Sequence, residues 1–281
     1  MNRFWSIWPI RLVVFFLVTM LAYGLCGSAR FILKDHGYDF PRDPMALATA
    51  AAAIFFTLSS YWLLVRLTER RKATELEGML PYFIKGALVG LALFAAVYGA
   101  LFALHVATFK GFGSTADLAP ALALSVMSGI CEEIIFRGAL FRIVEDAAGS
   151  LVALIVSGAV FGLLHAGNPG ATVVSTVAIM LEAGILLAAA YMLTRSLWFP
   201  IGLHFAWNFS EGGIFGAQVS GNPMKGLLDT PISGPPLLSG GGFGPEASVV
   251  AVGVCVTLAL AMLILAIRRG QWKPMHFSWR A

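Results

Sequence analysis

Glu132, Glu133 and Arg137 stand in a stretch, SGICEEIIFRGAL, that is otherwise apolar enough to lie in a membrane. Later apolar runs carry FGLLH, ending at His165, then Glu182, then HFAWN from His204 to Asn208. A charge near the bilayer centre costs about 2.5–3.5 kcal/mol on insertion scales, so such groups persist where they are paired or used. Helical spacing sorts them. Residues four apart share a face, so Glu133 and Arg137 are expected to form an ion pair. Glu132 lies about 100° around the axis and is left for another partner. His204 and Asn208 share a face by the same rule, and Phe161 sits one turn before His165 in a packing position. If these faces converge, Glu132, His165, His204 and Asn208 make one polar cluster drawn from three helices.

A carboxylate, two imidazoles and an amide can activate water and stabilise an oxyanion. Imidazole and carboxylate also bind zinc, which the same residues could hold. Glu182 reads either as a structural partner or as part of the cavity wall, and His105 as a helix–helix hydrogen-bond partner. Two other classes stay open: a proton-coupled transporter or channel using the cluster as a relay, and a non-catalytic membrane scaffold. No HExxH, GxGD or Gly-x-Ser-x-Gly motif is present, nor a phosphate-binding loop of the Walker type.

The elements that must position these groups are transmembrane helices. The 281 residues are 58% hydrophobic and only 12% charged, about half the charge a water-facing surface needs. Apolar runs long enough to span roughly 30 Å recur along the chain. Helices are expected near 8–33, 45–65, 82–106, 119–143, 150–166, 171–193, 197–210 and 247–267. The fold class is thus all-α, a polytopic bundle of about eight helices in one integral membrane domain, 1–281. Its parts are three N-terminal helices (8–113), the motif-bearing helices (118–210), a Gly/Pro-rich loop (211–246), and a last helix with a basic tail (247–281). The short fifth and seventh helices are expected to line an intramembrane cavity inside the bundle, since broken helices at that depth need protein or water around them. The loop from Gly212 to Pro245 is expected to lie over the membrane surface.

The net charge of +4 comes from basic residues flanking the spans, which argues for retention of loops in the cytoplasm and against nucleic acid. Arg3, Arg11, Arg66, Arg142, Arg195 and Arg280 fall on one side and Lys34, Arg42, Lys110 and Lys225 on the other, so both termini are expected in the cytoplasm. Cys26, Cys131 and Cys255 lie in separate apolar runs and suggest neither disulfides nor a thiolate metal site.

EEIIFRG, FGLLH and HFAWN, in that order on successive spans, resemble the three motifs of the CAAX protease and bacteriocin-processing family, which includes the type II CAAX prenyl endopeptidases. The family pattern is EExxxR, FxxxH and HxxxN or HxxxD, and all three are met between Glu132 and Asn208. The resemblance implies an intramembrane endopeptidase of eight helices. It implies that Glu132 and His165 activate the attacking water, that His204 and Asn208 stabilise the oxyanion or hold a metal that does so, and that Glu133 and Arg137 brace the first motif. The substrate it implies is a protein or peptide in or at the membrane, lipidated in the eukaryotic members. The basic pattern suits a bacterial inner membrane. A metal-free, glutamate-activated water is favoured, because outer partners for the histidines look scarce. A divalent metal such as zinc on Glu132, His165 and His204 is the alternative.

Overall fold

The computed structural model describes residues 7–35 and 41–279. Arg3 and Arg280, and the side chains of Cys26 and Lys34, lie outside the described residues. Eight helices run along this part of the chain: α1 (Trp8–Asp35), α2 (Arg42–Glu69), α3 (Met79–Ala103), α4 (Leu118–Ala148), α5 (Ser150–His165), α6 (Val173–Thr194), α7 (Trp198–Asn208) and α8 (Val249–Arg268). Five of them, α2, α3, α4, α6 and α8, are long and apolar enough to cross a membrane. The protein is an all-α polytopic bundle. A two-residue pair, β1 (Gly111–Phe112) with β2 (Leu228–Asp229), is antiparallel and ties the loop after α3 to the loop after α7.

The charged residues gather at one end. Glu69 accepts hydrogen bonds from Arg142 at 2.8 Å and Arg71 at 2.7 Å. Glu75 accepts from both terminal nitrogens of Arg71, at 2.8 and 2.7 Å, and from the Tyr61 hydroxyl. Glu145 accepts from Ser150 at 2.7 Å and from Arg195. This belt joins the ends of α2, α4 and α6 to the start of α5. The opposite end carries the Arg42–Asp117 pair at 2.6 Å, with Lys225 N donating to Asp117 at 2.9 Å.

α3 and α7 cross with their backbones almost touching. A Cβ on Gly86 would sit 2.0 Å from the Phe199 carbonyl oxygen, and one on Gly90 would sit 2.3 Å from that of Leu203. Small residues four apart permit this close approach, which in a membrane replaces the missing hydrophobic drive between helices. The crossing fixes the depth of α7, whose residues from Phe199 to Leu203 are buried, and with it His204.

Three expectations need correction. α7 is enclosed by protein, but α5 is not: Leu151, Ile155, Leu163 and Leu164 are exposed on its outer face. Its 16 residues rise about 24 Å, short of a 30 Å core, and the deficit is met by loop chain packed over its last turn rather than by burial all round. The Gly/Pro-rich segment does not simply lie over the surface either. It folds inward, burying Phe243 and Glu246 and placing Ser220 in a cavity wall. His105, expected as a buried partner, is exposed in a left-handed turn with φ 56°.

Candidate active site

α4 widens to a π-helical turn at Ile134–Phe141, immediately after Glu133, and α6 does so at Met180–Ile185. Each such turn leaves carbonyls without their usual partners, a device frequent at functional sites. Arg137 donates to the Ala183 and Gly184 oxygens of the second turn at 3.0 and 3.1 Å. Its other terminal nitrogen bonds Glu133 Oε1 at 2.9 Å, and its guanidinium lies over the Phe161 ring at 4.7 Å. Both partners of the pair are fully buried. The spacing rule therefore describes the contact, and the guanidinium also links α4 to α6.

Glu133 does more than the spacing rule suggests. The same Oε1 accepts from His204 Nδ1 at 3.0 Å, so one carboxylate orients both Arg137 and an imidazole on α7. His165 Nδ1 donates to the Phe161 carbonyl at 2.8 Å, which leaves Nε2 as its free nitrogen, and the imidazole stacks on the Phe161 ring at 4.7 Å. Nε2 lies 4.0 Å from Glu132 Oε2, a buried oxygen with no hydrogen-bond partner within the protein. Asn208 donates through Nδ2 to Ser128 Oγ at 2.9 Å, which ties α7 to α4 and leaves its second amide proton free.

His165, His204 and Asn208 line one cavity with Glu182, Phe161, Ser220 and Glu246. Its volume is about 30 Å³, enough for a water or two, since one needs roughly 10–15 Å³ on this measure. Residues of the second and third motifs thus line a single space, whereas none of the first motif's Glu132, Glu133 and Arg137 does. Glu132 stands beside it, reaching His165.

Residues 114–210 match the family model described as type II CAAX prenyl endopeptidase Rce1-like. That segment is similar to the type II CAAX prenyl endopeptidases and carries all three of the motifs read from the sequence. No curated protein and no solved structure was found to match it. The model describes CAAX-type endopeptidases, and the matched segment spans every motif residue and Glu182.

The structure adds residues that spacing did not bring forward. Glu211 and Glu246 are buried close to Glu182. Glu211 was within reach of the helical rule, because His204, Asn208 and Glu211 follow the i, i+4, i+7 stripe of one face. Glu246 carried only the signal of a lone carboxylate next to an apolar span. Outer hydrogen-bond partners for the histidines, expected to be few, are Glu133 for His204 and the Phe161 carbonyl for His165. Among the described residues, however, no three His, Cys, Asp or Glu side chains are gathered to hold a metal ion. As placed, Glu132, His165 and His204 do not fit a tetrahedral zinc set.

Proposed function

We propose that the protein is an intramembrane endopeptidase that cleaves membrane-associated or lipidated proteins with water activated at Glu132 and His165. The observation that carries this reading is the 4.0 Å gap between Glu132 Oε2 and His165 Nε2. A water about 2.8 Å from each atom fits beside that gap, giving one proton to each and turning a lone pair outward. Glu132 takes a proton as the oxygen attacks the scissile carbonyl carbon. His204, anchored by Glu133, donates from Nε2 in its imidazolium form to the oxyanion. The free proton of Asn208 donates beside it. Fixed donors aimed at the developing charge cost no reorganisation as it forms, and removing one typically costs 10²–10³-fold in rate. Arg137 and Glu133 hold these groups in place from behind. No step is routed through a metal.

The charged belt is proposed to face the cytoplasm in a bacterial inner membrane, with both termini on that side. Reporter fusions at Lys72 and near Pro235 are then expected to give opposite signals. The activity itself is tested by incubating the purified protein, in lipid vesicles, with membrane-anchored peptides and sequencing the new termini by mass spectrometry. Cleavage that disappears in Glu132→Ala supports the reading. Proton or solute flux without cleavage would replace it with the relay of a transporter.

A further inference from the structure

Glu182 on α6, Glu211 in the π turn that follows α7 (Phe209–Ile214), and Glu246 in the single turn before α8 come from three separate elements. All three are buried, with 3%, 0% and 2% of their surface exposed. Both carboxyl oxygens of Glu211 and Oε1 of Glu246 lack a donor from the protein. The Glu211 and Glu246 carboxyls are close enough to act on each other, which favours a proton on at least one of them. The other groups that face the trio are Cys255 beside Glu182, Tyr98 near Glu211, and Ser220 and His165 beside Glu246. No lysine or arginine among them supplies a counter-charge. Three negative charges in so dry a place would be prohibitive, and buried carboxyls answer that cost by keeping protons.

Position gives those protons a use. Glu182 and Glu246 line the same cavity as His165, His204 and Asn208. Glu246 is carried there by the Gly/Pro-rich loop, which packs onto the chain just after His165. Gly221 N donates to the Phe243 carbonyl at 2.6 Å, and a Cβ on Gly221 would sit 1.8 Å from the Pro169 carbonyl oxygen. Glu211 and Glu246 both lie beyond the matched family segment, whereas Glu182 lies within it.

We propose that Glu182, Glu211 and Glu246 form a shared proton store for the peptidase reaction, with Glu246 as the group that protonates the leaving amine. The assignment rests on the endopeptidase reading above. When the tetrahedral intermediate collapses, the C–N bond breaks, the oxyanion electrons restore the carbonyl, and the nitrogen lone pair takes the proton of Glu246. The proton that Glu132 took from water is then picked up by His165 at Nε2, its free nitrogen, and released from that same nitrogen to Glu246, while Nδ1 stays on the Phe161 carbonyl. One water is consumed, and the trio ends in its starting state.

The test replaces Glu246 by Gln, which keeps volume and hydrogen bonding but carries no transferable proton. A peptide cleaved by the wild type is compared with its ester analogue, in which the scissile N–H is oxygen. An alkoxide leaves with less need of protonation than an amine, so Glu246→Gln should lose about 10²–10⁴-fold on the amide and at least tenfold less on the ester. Equal losses on both, or an unchanged amide rate, overturn the proposal. If the wild type cleaves neither compound, it is the endopeptidase reading that fails. Infrared spectra give a readout free of activity: the wild type should show a protonated-carboxyl band at neutral pH that weakens in Glu211→Gln. Absence of that band in the wild type overturns the store even if every variant fails to fold.

Discussion

The belt at one end of the bundle and the cavity within it are built from the same residue types and partnered in opposite ways. In the belt, Glu69, Glu75 and Glu145 each accept from one or more arginines, and none has an orphaned oxygen. In the cavity wall Glu246, and near it Glu132, Glu133 and Glu211, each keep an oxygen with no donor from the protein, whereas Glu182 in the same wall does not. Buried polar groups are nearly always satisfied, so each exception asks for an explanation. The belt spends its carboxylates on closing helix ends. The cavity keeps carboxylate oxygens in reserve for something that enters it. Charge alone therefore does not mark the working glutamates; incomplete partnering does.

The contrast can be broken most sharply at Glu133, which has one foot in each pattern. Glu133→Ala strands the fully buried Arg137 and releases His204, and losing one partner of a buried pair typically costs 3–5 kcal/mol. Thermal unfolding in a fixed detergent should show a large drop together with lost activity. Normal stability in Glu133→Ala would mean that Arg137 is held by the α6 carbonyls alone. Next in size is Asn208→Ala, which removes a cavity donor and its tie to Ser128. A loss of 10²–10³-fold in kcat with little change in KM is expected; a change confined to KM would make Asn208 a binding group. The smallest effect belongs to the belt. Burial pushes the Glu75 carboxyl up, but hydrogen bonds from Arg71 and Tyr61 outweigh it and hold it below the ordinary carboxylate range. A depressed value means that the stabilisation is full above the unfolded value, about 4.3, and fades as pH falls through the folded one. Glu75→Gln should lower stability at neutral pH by about 1.5–3 kcal/mol and flatten its decline in acid, with activity per folded molecule unchanged. An acid-unfolding curve identical to wild type would remove Glu75 from the belt's energetics.

The reading from sequence succeeded where one period governs. Apolar runs located the helices, and four-residue spacing located the Glu133–Arg137 contact and the His204–Asn208 face, because both follow from helix geometry. It fell short where the period changes. The π turns after Glu133 and at Met180–Ile185 are invisible to a 3.6-residue rule, and the second carries the Ala183 and Gly184 carbonyls that Arg137 bonds. The rule also allotted Glu133 to Arg137 and stopped there, although a carboxylate oxygen has room for the second donor, His204. Glu246 was out of reach for a different reason. Its place beside His165 depends on how a Gly/Pro-rich loop folds back, which is set by tertiary contacts such as the Gly221–Pro169 approach rather than by any local pattern.

The central claim is that Glu132 activates water while Glu133 braces the site, and paired Gln variants of the two neighbours test it most directly. Both are purified, checked for thermal stability, and assayed in lipid vesicles on the same membrane-anchored peptide. Glu132→Gln is predicted to keep wild-type stability, still bind the peptide, and lose about 10²–10⁴-fold in kcat, the usual contribution of a positioned base. Glu133→Gln is predicted to lose stability as well as activity. Cleavage by Glu132→Gln at close to the wild-type rate, or a stable but inactive Glu133→Gln, would contradict the account.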